Sequence, residues 1–439
     1  MSNLQYARWL MGTSLAFHIV FAAVGVALPL LMVIAEWRHR STGRPEYLEL
    51  AHRWAKGAAI LFAVGAVSGT VISFELGLLW PGFMRFSGPI IGMPFSLEGF
   101  AFFAEAIFLG IYLYGWDRVS PRLHLAAGVV VAVAGATSAF FITLANAWMN
   151  HPAGFDLILG KAANVDPLSA MFPEGWGSQV VHVLLSCFAA TGFAVAGIHA
   201  FGLLRDRKSA FHRAALGIAL AVGGAAALLQ PVSGDFSARN AARNQPVKLA
   251  AMEGHFRTER GAPLFIGGIP DAAAGVTRFA IEVPYGLSLL AFHDPHAEVQ
   301  GLLDWPRSVW PNPLLVHMAF QVMVGLGSAL ALVAFLAAAL YLGKRRLPDA
   351  RWFLWAVVLV APAGFGALEA GWMVTEWGRQ PFTVWGVMRT AESVTPVPDL
   401  AVPFWGFAAL YLFLAVVTST LLVRQIAQSP RAPHPGAEP

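Results

Sequence analysis

The feature that most constrains this chain is a succession of apolar runs, each long enough to cross a bilayer. Taking roughly 20 residues per crossing, about nine can be placed, near 10–35, 55–79, 95–116, 124–148, 179–204, 213–232, 313–343, 352–375 and 402–424. Inside hydrocarbon every backbone N–H and C=O must be satisfied without water, which leaves helices or closed barrels. Runs of this length meet that demand as helices, since barrel strands need only about 9–11 residues. Composition agrees: 57% of residues are hydrophobic and 12% charged, about half the charged share of an average soluble domain. The expected fold class is an all-α integral membrane protein of about nine transmembrane helices. The opening stretch MSNLQYARWLMGTSLAFHIVF has no early basic residues and no A-x-A site, so it reads as a first span rather than a removed signal.

Loop charge orients the helices, because Lys and Arg gather on the cytoplasmic side. Arg38, Arg40, Arg44, Arg53 and Lys56 follow the first expected span, and Arg118 and Arg122 the third. Arg205, Arg207, Lys208 and Arg213 follow the fifth, and Lys344, Arg345, Arg346 and Arg351 the seventh. The short alternate connections hold only Arg85, Lys161, and the pair Arg379 and Arg389. The N-terminus is therefore expected outside and the C-terminus inside. The chain divides into spans one to six within 1–232, a long outer loop over 233–312, spans seven to nine within 313–425, and a Pro-rich disordered tail over 426–439. The loop mixes charges with apolar pieces such as PLFIGGIP and FAIEVPYGLSLLAF, so it is expected to fold.

Several function classes drop out. The net charge of +4 belongs to basic loops, and no Lys/Arg stripe interleaves with aromatics as a nucleic-acid face would. One cysteine, Cys187, excludes an internal disulfide framework and a Cys-held iron–sulfur cluster. No C-x-x-C-H stretch exists for covalent haem attachment.

Ionisable residues inside spans mark function by default, because each is expensive in lipid. His18, Glu98, Glu105, His182 and Glu369 are such residues, and on the expected topology they gather in the outer half of the membrane. Glu98 and Glu105, in EGFAFFAE, are seven residues apart, close to two turns, and share one helix face about 10 Å apart along the axis. Two histidines beside carboxylates suit haem, and Met323 supplies a thioether for a His/Met axial pair. Arg379 reads by itself as an interfacial arginine, although its guanidinium also matches haem carboxylates. From these residues alone, a haem protein and a haem-free proton-coupled transporter both stay open.

Seven stretches in order break the tie: AFHIVF around His18, EGFAFFAE, LANAWMN at 144–150, VVH at 180–182, QPVKLAAMEG at 245–254, VMVGLG around Met323, and EAGWMVTEWGRQP at 369–381. Over nearly its whole length the chain resembles subunit I of cytochrome bd-type quinol:oxygen oxidoreductase. The resemblance implies His182 and Met323 as the axial pair of low-spin haem b558. It implies His18 and Glu369 as ligands of two high-spin haems, b595 and haem d (or a second high-spin haem b), with Glu98 beside or on the oxygen-reactive one. Glu105 is similar to a proton-pathway carboxylate, Lys248 and Glu253 to residues of the quinol-binding loop, and Arg379 and Gln380 to the GRQP signature near the haems. Implied partners are a second subunit, a small single-helix subunit, ubiquinol or menaquinol, O2 and the lipid of a bacterial cytoplasmic membrane, with no nucleic acid.

The chain also departs from the pattern. Gln321 stands where Arg is common, which removes a fixed positive charge and leads us to expect a lowered b558 potential. Phe382 follows GRQP instead of Trp, Asn150 replaces Gln, and the loop is of the short kind, as in a divergent, cyanide-insensitive branch. The implied mechanism oxidises quinol outside and reduces O2 to water with protons taken up from the cytoplasm through Glu105 and Glu98. The competing readings are the transporter and a haem b electron-transfer subunit without O2 chemistry. For Ser138 and Asn146, packing outweighs a polar role. Cys187 reads as a small buried apolar residue, and His293 and His296 as exposed loop residues rather than a metal site.

Overall fold

The computed structural model describes residues 2–428. Among them, nine helical segments are long and apolar enough to cross a membrane. Four come first: α1 (Asn3–Thr42), α2 (Pro45–Leu79), α3 (Pro81–Tyr114) and α4 (Pro121–Asn150). A hairpin of β1 (Asp156–Ile158) and β2 (Lys161–Ala163) and the short α5 (Pro167–Met171) lead to α6 (Trp176–Arg205) and α7 (Ala210–Asn244). The long loop holds α8 (Pro246–Glu253), β3 (Glu259–Arg260), β4 (Leu264–Ile266), β5 (Ile269–Asp271), β6 (Val276–Arg278), β7 (Ile281–Val283), α9 (Gly286–Phe292) and β8 (Glu298–Val299). Then come α10 (Pro313–Lys344), the pair α11 (Arg351–Val360) and α12 (Ala363–Trp377), the hairpin β9 (Phe382–Val384) and β10 (Met388–Arg389), α13 (Thr390–Ser393) and α14 (Ala401–Ala427). Strands pair only in antiparallel twos, β3 with β8, β4 with β7 and β5 with β6 in the loop. The chain is an all-α membrane protein with small β ornaments at one end.

The helices begin where local chemistry serves their unpaired N–H groups. Ser2, Ser120, Ser209 and Asn312 cap α1, α4, α7 and α10 through their side-chain oxygens. Pro opens α2, α3, α4, α8 and α10, where the missing N–H is harmless. Several expected boundaries move. The first three spans begin earlier, at Asn3, Pro45 and Pro81 instead of 10, 55 and 95. The sixth span passes 232 and, carrying Pro231 inside it, continues to Asn244. The eighth is broken at Ala361–Pro362 into α11 and α12, because Pro cannot continue the hydrogen-bond ladder. Of the expected tail, Ile426 and Ala427 still belong to α14, and 429–439 lie outside the described residues.

Small residues bring the helices together, as they must where lipid competes equally for apolar side chains. Gly192 of α6 and Gly223 of α7 touch backbone to backbone: a Cβ at Gly192 would stand 2.4 Å from Gly223 Cα. Gly364 of α12 meets Ala190 of α6 in the same way, at 2.5 Å from its Cα. α1 is the centre of the bundle, packed against α2, α4, α6 and α14. The loop is docked, with Val247, Ala250, Ala251, Met252, Phe256 and Leu302 sharing one apolar cluster with Val316 of α10 and Val374 of α12.

Gly192→Val is expected to force α6 and α7 apart at an overpacking cost of about 1–3 kcal/mol. Gly177→Val, whose added Cβ meets nothing within 4 Å, is the control. Thermal denaturation in detergent should show a lowered Tm for the first and an unchanged Tm for the second.

Candidate functional site

Two histidines are held alike. His18 of α1 places Nδ1 3.0 Å from Ser68 Oγ of α2, and His182 of α6 places Nδ1 2.9 Å from Ser233 Oγ of α7. Each serine donates its own hydroxyl hydrogen to a backbone carbonyl of its helix: Ser68 to Val64 O at 2.9 Å, Ser233 to Gln230 O at 2.9 Å. With that hydrogen spent, each Oγ must accept, so each Nδ1 carries the hydrogen and each Nε2 keeps its lone pair. An imidazole fixed this way is prepared to ligate a metal through Nε2. Gly69 lets α2 approach: a Cβ there would stand 3.0 Å from His18 Cε1. At His182, the Gln230 amide donates to Nε2 at 3.1 Å and also to the His182 carbonyl.

Met323 of α10 turns its sulfur to α12, where a Cβ on Gly371 would be 3.0 Å from Sδ. Two residues before that glycine, Glu369 keeps Oε1 buried without a hydrogen-bond partner. Counted from the loop end of each helix, His182, Met323 and Glu369 lie within about three turns, and His18 and Glu98 between about four and five. Glu105 lies two turns deeper on the Glu98 face.

Glu98 accepts a hydrogen bond from Ser138 of α4 at 3.1 Å. Glu105 is buried between α1 and α4, in contact reach of Gly25 and Gly135. A small cavity opens beside it, lined by Gly25, Pro29, Ala58, Phe62, Leu109 and Val131. The packing role expected for Ser138 therefore gives way to a hydrogen-bonding one. The same is true of Asn146, whose amide donates to Glu376 Oε1 at 2.8 Å. Each carboxylate is partly withdrawn from water, so a neighbouring donor is worth more to it than apolar contact.

A buried polar cluster lies beneath the loop. Lys248 of α8 donates to Asn150 Oδ1 at 3.0 Å, and Arg379 Nη2 donates to Glu376 Oε2 at 2.5 Å. Arg379 is only 2% exposed, yet its Nε and Nη1 find no hydrogen-bond partner. Burial and the neighbouring Arg379 cation pull Lys248 down to about 7, against the opposing pull of Glu376. Lys248 and Arg379 thus face a single carboxylate, and the free guanidinium edge suits another carboxylate group. Gln380 points its oxygen to the Thr390 hydroxyl at 2.9 Å, fastening the turn after α12 to α13. Glu253, at the other end of α8 from Lys248, has Oε2 buried without a partner, and burial pushes its carboxyl up to about 8.

The residues fit haem. Among the described residues no three His, Cys, Asp or Glu side chains converge to hold a bare metal ion. A haem iron needs only one or two axial side chains, and fixed Nε2 atoms, a thioether, a partnerless carboxylate and a partnerless guanidinium edge are present. Cys187 is buried and apolar in its surroundings, while His293 and His296 are exposed in the loop.

Two clusters were not foreseen. Tyr411 of α14 donates to Ser14 Oγ at 2.9 Å, and Ser14 donates to Glu75 Oε1 of α2 at 2.8 Å, one turn from His18. Near the opposite end, Glu36 of α1 takes His124 Nδ1 at 3.0 Å and Arg40 at 2.6 Å. The carboxylate within ISFELG was the available signal for the first, and the histidine in PRLHLAAG for the second.

Removing the serine acceptors should loosen whatever Nε2 holds. Ser233→Ala at His182 and Ser68→Ala at His18 are each expected to weaken haem retention by about 10–100-fold. The haem-to-protein ratio after detergent washing, read at each absorption band, measures it.

Comparison with known proteins identifies the family. The profile of the cytochrome bd terminal oxidase subunit I family matches residues 6–430. A putative cytochrome bd menaquinol oxidase subunit I of Bacillus subtilis (strain 168) is 38% identical over 436 residues, with 98% of each chain covered. Cytochrome bd ubiquinol oxidase subunit 1 of the same organism is 31% identical, covering 97% of this chain and 94% of its own length. The solved bd oxidase of Geobacillus thermodenitrificans superposes with a TM-score of 0.91 at 39% identity, over 98% of this chain and 99% of the other. A match of that length and closeness makes this chain a member of the cytochrome bd terminal oxidase subunit I family.

Proposed function

We propose that this chain oxidises quinol at the face covered by the loop after α7 and reduces O2 to water within the bundle. The observation that carries the reading is the pair of serine-fixed histidines, His18 and His182, on separate helices and at separate depths. His182 and Met323 hold low-spin haem b558. His18 and Glu369 hold the two high-spin haems, b595 and haem d or a second haem b, with Glu98 beside the oxygen-reactive one. The relatives' names support the substrate, menaquinol in one and ubiquinol in another. The basic loops support an N-terminus-out orientation; the reading sets the chain in a bacterial cytoplasmic membrane with a second subunit and a small single-helix subunit.

Haems held by these residues would supply electron transfer from quinol and the reduction of O2. The chain's own residues do the rest. Glu253 accepts a quinol proton, because its buried carboxyl sits close enough to neutral pH to bind and release one. Lys248 joins the Arg379 cluster, so the charge that would hold haem carboxylates lies directly under the quinol loop. Glu105 takes protons from the cytoplasmic side and passes them to Glu98, which Ser138 orients. Two quinols and one O2 thereby yield two quinones and two waters, with quinol protons released on one side and oxygen's protons drawn from the other.

A reduced-minus-oxidised spectrum, a pyridine haemochrome assay and quinol-driven O2 uptake by the intact complex test the reading. Missing haem absorbance or missing quinol-driven uptake would overturn it. Glu105→Gln should slow O2 reduction by about a hundredfold or disturb the high-spin bands while leaving the haem at His182 intact. Glu253 is protonated and unable to accept below about pH 8, so kcat/KM for quinol should rise as pH climbs toward that value. Glu253→Gln should lose that rising limb, as a pH profile of O2 uptake would record.

A further inference from the structure

The loop is gripped by one face of α10 at a single corner. Gly267 and Gly268 turn the chain between β4 and β5, both with positive φ (68° and 94°). A Cβ at Gly268 would stand 2.8 Å from Ala280 Cβ and Thr277 Cγ2, so the corner requires glycine. Gln321 holds it with both ends of its amide: Gly267 N–H donates to Oε1 at 3.0 Å, and Nε2 donates to Phe265 O at 3.1 Å. One turn earlier, His317 reaches Gly267 O from Nε2 at 3.0 Å and Met252 O from Nδ1 at 2.8 Å. Both of these acceptors are carbonyls, so the ring serves both when both nitrogens carry hydrogen. Thr277, on β6, which pairs with the strand after the corner, donates to Gly254 O at 2.6 Å.

These contacts enclose one residue. Glu253 lies between Met252, whose carbonyl His317 holds, and Gly254, whose carbonyl Thr277 holds. Gly254 is itself confined to positive φ, and a Cβ there would stand 2.7 Å from Thr277 Oγ1 and 3.3 Å from His317 Nδ1. We infer that Gln321 and His317 are positioning residues for quinol oxidation: through the 265–267 corner they set the place of Glu253, and with it the fit of quinol under the loop. Resting on the quinol reading above, the inference assigns Gln321 a task that its charge alone does not suggest. Only a side chain with a donor and an acceptor in one plane can serve Phe265 O and Gly267 N–H together. An arginine offers donors alone, and a leucine neither.

The intact oxidase with Gln321→Leu or Gln321→Glu tests this. Gln321→Leu adds no charge and removes both hydrogen bonds; Gln321→Glu keeps the acceptor for Gly267. O2 uptake would be measured with decylubiquinol or menadiol, and separately with a one-electron dye such as tetramethyl-p-phenylenediamine. Hydrogen exchange would be followed over 252–280. For Gln321→Leu, quinol KM should rise or kcat fall by about 5- to 30-fold, the loss expected from two hydrogen bonds. Gln321→Glu should fall between it and the parent. In Gln321→Leu, dye-driven uptake, haem content and the low-spin midpoint should stay at the parental values, while in both variants exchange at the corner and around Glu253 speeds up. Unchanged quinol kinetics, unchanged exchange, or an equal loss with dye and quinol would each overturn the inference. If Gln321→Leu does not assemble, Gln321→Glu decides by the same measurements. Should the parent oxidise no quinol, the functional reading falls, and hydrogen exchange alone still decides whether Gln321 holds the loop.

Discussion

The rest of this structure depends on the cost of leaving a polar group unsatisfied where water does not reach. It makes the backbone helical over nine crossings, because a helix is the segment that satisfies itself. It also decides how the few polar side chains inside are used. Serines that would be neutral on a soluble surface here fix the imidazoles of His18 and His182, and Ser138 and Asn146 turn to carboxylates rather than to packing. The same cost explains the glycines at the helix crossings, since close backbones exclude lipid and hold those donors in reach.

Partnered and partnerless groups lie at both levels. Deeper in the bundle, Glu75 and Glu98 each accept a hydrogen bond from a serine of a neighbouring helix and His18 donates to another, while Glu75 keeps its second oxygen unpaired. Beneath the loop, Arg379 keeps two nitrogens without partners, Glu369 one oxygen and Glu253 another. A buried charge in that condition is costly unless something completes it, and carboxylate-bearing haems and a proton-yielding quinol are the chemistries that would. On the proposed function, electron entry, proton release and oxygen reduction would occupy successive levels of one bundle, ordered from the loop inward.

Much of this was legible beforehand for a stated reason. A charge in an apolar run is conspicuous because it is expensive, so His18, Glu98, Glu105, His182 and Glu369 stood out, and the two-turn spacing of the glutamates put them on one face. Their partners did not stand out. Ser68 lies fifty residues from His18, Ser233 fifty-one from His182, and Gln321 fifty-four from Gly267. A serine in a helix is common, and nothing local says which carbonyl or imidazole faces it. Glu75 was equally conspicuous in its run, but its role as a partner of Ser14 and Tyr411 needed three helices in place. The break at Pro362 was visible as a proline, whereas the passage of α7 through Pro231 was not, because packing decides whether a helix survives one.

The sequence by itself determined the fold class, the number of crossings and the residue types able to ligate haem, since each follows from transfer cost and helical period along the chain. Only the tertiary structure decided which nitrogen of each histidine carries the hydrogen, that Lys248 belongs with Arg379 and Glu376, and that Gln321 grips a glycine corner of the loop. Those are statements about hydrogen bonds between distant segments, and their energies exist only once folding has brought donor and acceptor within about 3 Å.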